Sequence, residues 1–243
     1  MKIGDAFGRL LLDHFEGRRA HEIVERDDGL IMTGGPPTAY LAPFRKWPGM
    51  ERRAMRLARG RVLDVGCGAG RVALHLQARG QQVVAIDVSP AAVDVARRRR
   101  VRDARVLALA DADERLGRFD TVILYGNNVG LLGSRRLAIR ILRRLHRLTS
   151  DHGRILAESL DWSRTDDPVH LANHERNRRR GRMPGQNRIR IRHGLLATRW
   201  FDYLLTTPDE LADLADAAGW ELTRAFHEPD PAVSLYVAIL EKR

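Results

Sequence analysis

The chain predicts an α/β fold: a doubly wound, mostly parallel sheet of seven strands whose last strand runs antiparallel. Three observations predict it. From Arg61 onward, short apolar runs alternate with amphipathic segments of helix length, the pattern of parallel strands joined by helices. Residues 62 to 71, Val-Leu-Asp-Val-Gly-Cys-Gly-Ala-Gly-Arg, break a buried-strand run into Gly66, Gly68 and Gly70 and then open a helix. Two apolar runs close the chain, Glu221 to His227 and Ser234 to Leu240, and the short Glu228-Pro229-Asp230-Pro231 connection makes them antiparallel to each other.

The elements follow in order. Residues 3 to 24 place Ile3, Phe7, Leu10, Leu11 and Phe15 at helical spacing, which predicts an amphipathic helix ahead of the core. A breaker-rich loop, Thr33 to Tyr40, leads through Phe44 and Trp47 to a helix over Met50 to Ala58. Tyr40, Phe44 and Trp47 stand where a lid would close over a ligand, with core packing as the alternative. The core then reads strand to Val65, helix 71 to 79, strand 82 to 86, helix 90 to 100, strand 105 to 109, strand 119 to 124, helix 134 to 148 and strand 154 to 159. In the long helix, Leu137, Ile141 and Leu145 form the apolar stripe. Thr207-Pro208-Asp209-Glu210 is a capping box that opens a helix stopping at Gly219. Between Trp162 and Thr206 lies an insertion, in which Arg188 to Arg192 and Thr198 to Tyr203 alternate around Gly194 as a β-hairpin does. The expected layout is an N-terminal helical lid segment over residues 1–60 and a ligand-binding domain over 61–243, carrying a hairpin and helical insertion at 162–206.

The glycine loop carries the chemistry. Glycines at alternate positions remove side chains where a strand turns into a helix, so backbone N–H groups and the positive helix end can touch a polar ligand. A dinucleotide fingerprint spaces its glycines G-x-G-x-x-G, whereas this loop is G-x-G-x-G with Asp64 two positions before the first. A second strand ends in Asp87, which lies 21 positions after Gly66 (87 minus 66) and is followed by Val88-Ser89-Pro90. A carboxylate there can accept both hydroxyls of a ribose, a device that NAD enzymes share. Ser89 and Pro90 read as the cap and first residue of the next helix.

Asp64-Val65-Gly66-Cys67-Gly68-Ala69-Gly70 resembles the first motif of the class I S-adenosylmethionine (SAM) dependent methyltransferases, whose sheet is Rossmann-like with a reversed terminal strand. The resemblance covers residues 61 to 160 closely and 207 to 243 in pattern. It implies SAM as cofactor, with Gly66, Cys67, Gly68 and Gly70 around the methionine end, Asp64 orienting that end, and Asp87 with Val88 at the ribose. It also implies an acidic contact to the adenine amino group, from Asp111 in preference to Asp113. Asn127 and Asn128, after the fourth strand, would face the donor or its acceptor, and Tyr40 would cover the donor. Cys67 is read as a small loop residue, not a catalytic thiol.

Composition limits the partners. A length of 243 residues suits one large α/β domain with additions. With Cys67 the single cysteine, no intrachain disulfide forms, and a cytoplasmic location is expected. No apolar run approaches the roughly 20 residues of a membrane span, and no signal peptide is expected. The net charge of +11 favours polyanions, but lysine occurs only at Lys2, Lys46 and Lys242, and the arginines are scattered along helix faces as a solvated coat. Stacking aromatics for RNA are not recognisable, and Asn127-Asn128-Val129-Gly130 lacks the Asn-Pro-Pro-aromatic pattern of adenine-methylating relatives. His170 and His174 lie one helical turn apart with no third ligand, so no metal is expected. His170, His174 and Asp202 are the candidates for a general base, and Arg176 to Arg182 could grip an anionic acceptor. The expected function is methyl transfer from SAM to a small-molecule acceptor through an N or O nucleophile. The alternatives are an RNA methyltransferase and a SAM-binding protein without methyl transfer; the sequence fixes no oligomeric state.

Overall fold

The computed structural model describes residues 1–230 and 234–243, so Pro231, the end of the expected last connection, lies outside the described residues. The chain divides into two compact units. The first comprises Met1–Trp47, Gly60–Ala112 and Arg188–Phe201; the second comprises Pro48–Arg59, Asp113–Asn187 and Asp202–Arg243.

In chain order, the N-terminal region holds β1 (Lys2–Ile3), α1 (Ala6–Phe15), β2 (Ile23–Arg26), β3 (Ile31–Thr33), α2 (Pro37–Tyr40) and α3 (Gly49–Met55). The core follows as β4 (Val62–Val65), α4 (Arg71–Ala78), β5 (Val83–Asp87), α5 (Pro90–Arg98), β6 (Ala104–Val106), β7 (Phe119–Leu124), α6 (Arg135–Leu148) and β8 (Thr149–Leu160). The insertion supplies α7 (Pro168–Arg179), β9 (Gln186–His193), β10 (Leu196–Ala197) and β11 (Phe201–Leu204), before α8 (Pro208–Asp216), β12 (Trp220–His227) and β13 (Leu235–Lys242).

The expected seven-stranded sheet is present, in the order β6-β5-β4-β7-β8-β13-β12. β4 and β5 pair in parallel with Val65 opposite Ile86, and β5 pairs β6 in parallel with Asp87 opposite Val106. β7 and β8 are parallel, while β13 runs antiparallel to both β8 and β12. Every residue of β4 and β5 is buried, which is why both read as unbroken apolar runs. A second sheet has the order β1-β10-β9-β2-β3, with β11 also on β9.

Several sequence expectations need correction. The helix read over residues 3 to 24 is confined to Ala6–Phe15, because Gly17 adopts φ +77° and the chain turns away. β2 and β3 follow as a hairpin about Gly29 (φ +94°), with Glu25 opposite Ile31. The strand read over 105 to 109 ends at Val106, since its partner β5 ends at Asp87; Leu109–Asp111 is a 3-10 turn. β8 begins earlier than 154, at Thr149, and its register against β7 shifts between Phe119 and Thr121 around Gly153, where a Cβ would lie 2.5 Å from that of Thr149. The buried stripe of α6 is Ala138, Ile141, Leu142, Leu145 and Leu148, with Leu137 at its margin.

Candidate active site

In the first unit, the loop after β4 is built from three left-handed glycines: Gly66 at φ +65°, Gly68 at +51° and Gly70 at +78°. Side chains disfavour that region by about 1–2 kcal/mol each, so the sequence of alternate glycines is what permits the bend. Their roles then diverge. A Cβ on Gly70 would lie 2.5 Å from Val101 Cγ2 and 3.3 Å from Ala96 Cβ, so this glycine seats the start of α4 against the end of α5. A Cβ on Gly68 would meet Leu11 of α1 at 3.5 Å. The loop amides are spent on the protein itself: Gly66 and Cys67 N–H donate to Ile86 O at 2.8 and 3.0 Å, and Gly70 N–H to Cys67 O at 2.8 Å. Gly68 N–H donates to Asp87 Oδ2 at 2.9 Å. These four N–H groups therefore hold the loop and its acid, and what the loop offers a ligand is a surface without side chains. Cys67 is buried, and burial followed by the charges of Asp64 and Asp87 raises its thiol pKa far above the usual range, leaving it a small packing residue.

Asp87 ends β5 with its second oxygen, Oδ1, accepting from Ser89 N–H at 2.9 Å. Burial raises its pKa, the N–H groups of Ser89 and Gly68 oppose that shift, the nearby Asp5 charge adds to it, and Val88 N–H opposes it by less. A carboxylate has about four acceptor sites, so two such bonds leave capacity for a diol. The Val88 side chain itself is exposed. Asp64, fully buried on β4, accepts from Ala73 N–H at 3.2 Å; burial pushes its pKa up to about 7 although the Arg71 charge pulls it down. Asp111 is exposed at the end of its 3-10 turn, and Asp113 pairs with Arg115.

The aromatics ahead of the core are anchored. Tyr40 OH donates to Glu22 Oε2 at 2.6 Å and its ring meets Phe7 edge-on at 5.3 Å. Phe44 stacks on His75 of α4 at 3.9 Å, and buried Trp47 lies under the Arg71 guanidinium at 4.6 Å while donating to Ala42 O. Glu22 is buried, and that burial raises its pKa against the opposing Tyr40 bond.

In the second unit the end of β7 is organised by a residue that sequence reasoning missed. Glu158 of β8, 3% exposed, accepts from Gly126 N–H at 2.9 Å and Asn127 N–H at 3.1 Å. Both donors are left-handed, at φ +76° and +61°, a turn that aims successive N–H groups at one anion. Asn127 Oδ1 accepts from Leu160 N–H at 2.9 Å, and Tyr203 OH donates to Asn127 O at 2.6 Å. A Cβ on Gly130 would fall inside the Tyr203 ring. With Oδ1 fixed by a backbone donor, the amide nitrogen of Asn127 is oriented as a donor away from it.

The base candidates lie on two elements, α7 and β11. His170 and His174 share α7, as their spacing required; His174 is buried, with its ring 4.7 Å from that of Trp162, and His170 is half-buried. Asp202 is half-buried on β11, next to Tyr203. The buried face of α7 is amide rather than apolar: Asn173 Nδ2 donates to Asn187 Oδ1 at 2.9 Å, and Asn177 Nδ2 to Pro184 O and Gln186 O at 2.9 and 2.7 Å. Among the insertion arginines, Arg176 donates to Asn173 and Arg178 pairs with Glu175. Among the described residues no group of three or more His, Cys, Asp or Glu side chains is placed to hold a metal ion, and no helix is long and apolar enough to cross a membrane.

Comparison with known proteins agrees with this geometry. Residues 62–153 match a methyltransferase domain family. A SAM-dependent methyltransferase from Bacteroides fragilis, solved with S-adenosylhomocysteine, superposes with a TM-score of 0.82 at 27% identity, over 98% of this chain and 94% of that one. Magnesium-protoporphyrin O-methyltransferase of Rhodobacter capsulatus is 42% identical over 67 residues, which is 26% of this chain and 30% of that protein. Ubiquinone biosynthesis O-methyltransferase of Xanthomonas euvesicatoria is 45% identical over 74 residues, 28% of this chain and 31% of that protein. The match thus spans less than a third of either curated relative. The sheet order, the glycine bend and the acid at the end of β5 are thus similar to those of the class I SAM-dependent methyltransferases, whose domain residues 62–153 match.

Proposed function

We propose that this protein transfers the methyl group of SAM to a small-molecule acceptor through an N or O nucleophile. The observation that carries the reading is the buried Asp87 carboxylate, held at the mouth of a side-chain-free bend by Gly68 and Ser89 N–H with acceptor capacity left for a ribose diol. Both curated relatives are named O-methyltransferases, which supports an oxygen nucleophile.

Bound SAM supplies a methyl group already activated on a sulfonium. The chain's own work is then to position. In this reading Gly66 to Gly70 lie along the methionine end, Asp64 meets its ammonium, Asp87 takes the ribose hydroxyls, and Asp111 meets the adenine. Residues 1–60, with α1 and Tyr40, cover the donor, and the 162–206 insertion selects the acceptor. Holding the nucleophile in line with the methyl–sulfur bond and excluding water supplies most of the rate. The nucleophile's proton passes to one of His170, His174 or Asp202, of which His170 and Asp202 are the more accessible. The reaction belongs to the cytoplasm, where the lone thiol stays reduced.

The test incubates the full chain with methyl-labelled SAM and, separately, a small-metabolite extract and total RNA. Label in the metabolite fraction supports the proposal. Label confined to RNA makes it an RNA methyltransferase, and donor binding without transfer in either pool makes it a SAM-binding protein; either outcome overturns the proposal.

A further inference from the structure

Asp5 lies in neither the glycine loop nor any motif singled out by the sequence, yet its carboxylate stands at two helix starts at once. Oδ1 accepts from Gly8 N–H at 2.9 Å and caps α1. Oδ2 accepts from Ser89 Oγ–H at 2.7 Å and from Ala91 N–H at 3.2 Å. Ser89, whose hydroxyl proton is committed to Asp5, accepts from Ala92 N–H at 2.9 Å and so caps α5. The backbone N–H of the same Ser89 donates to Asp87 Oδ1. One carboxylate thus receives the positive ends of α1 and α5 and fixes the residue that fixes the candidate ribose acid.

The approach is too close to be incidental packing. A Cβ on Gly8 would lie 1.9 Å from Ser89 Oγ and 2.6 and 2.7 Å from the Asp5 oxygens, so glycine at position 8 is what lets α1 reach α5. Within the next turn, Leu10 and Leu11 pack with Ala69 of the loop and with Ala92 and Val95 of α5. Helix α1 is therefore docked on the donor loop at a polar point and at an apolar one.

We infer that Asp5 is a positioning residue for the donor, acting through Ser89 on Asp87, and that docking of α1 and binding of the nucleoside are coupled. The inference rests on the donor reading above. Coupling of this kind is reciprocal: what holds α1 in place tightens the nucleoside, and the nucleoside holds α1. Asparagine at position 5 keeps an oxygen to cap Gly8 but removes the charge and an acceptor facing Ser89 and Ala91.

The test is calorimetric titration of S-adenosylhomocysteine into the full chain and into Asp5→Asn, Ser89→Ala and the double variant, with circular dichroism as the check on fold. Asp5→Asn is expected to weaken binding about tenfold in the native background and to have no further effect once Ser89 is alanine. A purely structural Asp5 would weaken binding by the same factor in both backgrounds, which overturns the inference, as does unchanged affinity in Asp5→Asn. Gly8→Ala presses on the same link from α1 and is expected to weaken binding as well, so loss of fold in one variant leaves the other decisive. A native chain that fails to bind S-adenosylhomocysteine overturns the donor reading itself and the inference with it, whereas native binding with an additive double variant overturns the inference alone.

Discussion

Each unit buries a carboxylate on two backbone N–H groups, Asp87 in the first and Glu158 in the second, and the two units differ in the polar groups around it. In the first, Asp64 and Asp87 are carboxylates held by backbone N–H groups, with burial raising the proton affinity of both. Burying a carboxylate in this way is costly, and in the proposed function a cationic or hydroxylated ligand relieves that cost. In the second, buried polar groups close on one another: Glu158 on the Gly126–Asn127 turn, Asn173 on Asn187, and Thr206 on both Ser159 and Tyr236, whose phenol burial pushes to a higher pKa. In the first unit the acids hold the glycine bend and the helix start beside it; in the second the polar groups set backbone geometry at the end of a strand and link to one another.

The sharpest way to break this contrast is Asp87→Ala. Losing two charge-assisted bonds to a ribose should weaken S-adenosylhomocysteine by about a thousandfold in a calorimetric titration, with little loss of fold. An effect within threefold would mean that the acid holds only the loop. Gly70→Ala strains a residue at φ +78° and places a methyl 2.5 Å from Val101, so it should destabilise the chain by about 2–3 kcal/mol in urea unfolding.

Asp64 gives the comparison a pH dependence. Its folded pKa, about 7, lies well above the ordinary carboxylate range. The folded chain therefore binds this proton more tightly than the unfolded chain does, and the Asp64 contribution to stability falls as pH rises from about 4 to about 7. If the ionised form meets the donor's ammonium, SAM affinity should fall about tenfold per pH unit below 7. Asp64→Asn should flatten that profile, weaken SAM, and gain more stability over the native chain at pH 8 than at pH 5. A native profile that does not change from pH 5 to 8 would remove Asp64 from the donor contacts.

In the second unit, Asn127→Asp keeps the oxygen that accepts from Leu160 N–H and tolerates the left-handed turn, but replaces the amide donor with a carboxylate oxygen. Turnover of whichever acceptor pool takes label should drop by about tenfold while S-adenosylhomocysteine affinity stays within about twofold. Equal loss in both would make Asn127 part of the donor site. The smallest effect belongs to the exposed Arg178–Glu175 pair, where Arg178→Gln should change stability by less than about 0.5 kcal/mol.

The glycine bend and the strand and helix beside it were legible because they are written in backbone rules. Gly66, Gly68 and Gly70 are needed for φ, Asp87 ends a buried strand, and Ser89-Pro90 starts a helix, each a local signal. The partners of the bend's amides were not legible: Ile86 O takes Gly66 and Cys67 N–H, Asp87 takes Gly68 N–H, and Cys67 O takes Gly70 N–H. The hairpin at β2 and β3 carried its own signal, Asp28-Gly29 between Ile23-Val24 and Ile31-Met32, which the helical spacing of residues 3 to 15 obscured. The start of β8 was hidden because Thr149 to Gly153 are polar and bulged. Glu158, Tyr203 and Asp5 left no trace in the sequence pattern, because their partners lie 31, 76 and 84 positions away and only the fold brings them together. The amide-lined face of α7 has no apolar period to read.

In the proposed function the bend after β4 and the acid after β5 select an adenosyl thioether rather than a dinucleotide. Calorimetric titration of the native full chain with S-adenosylhomocysteine and, in parallel, with NAD tests it directly. Saturable binding of S-adenosylhomocysteine at one per chain, with no heat from NAD, is the expected result. Saturable binding of NAD, or silence with S-adenosylhomocysteine, would contradict it.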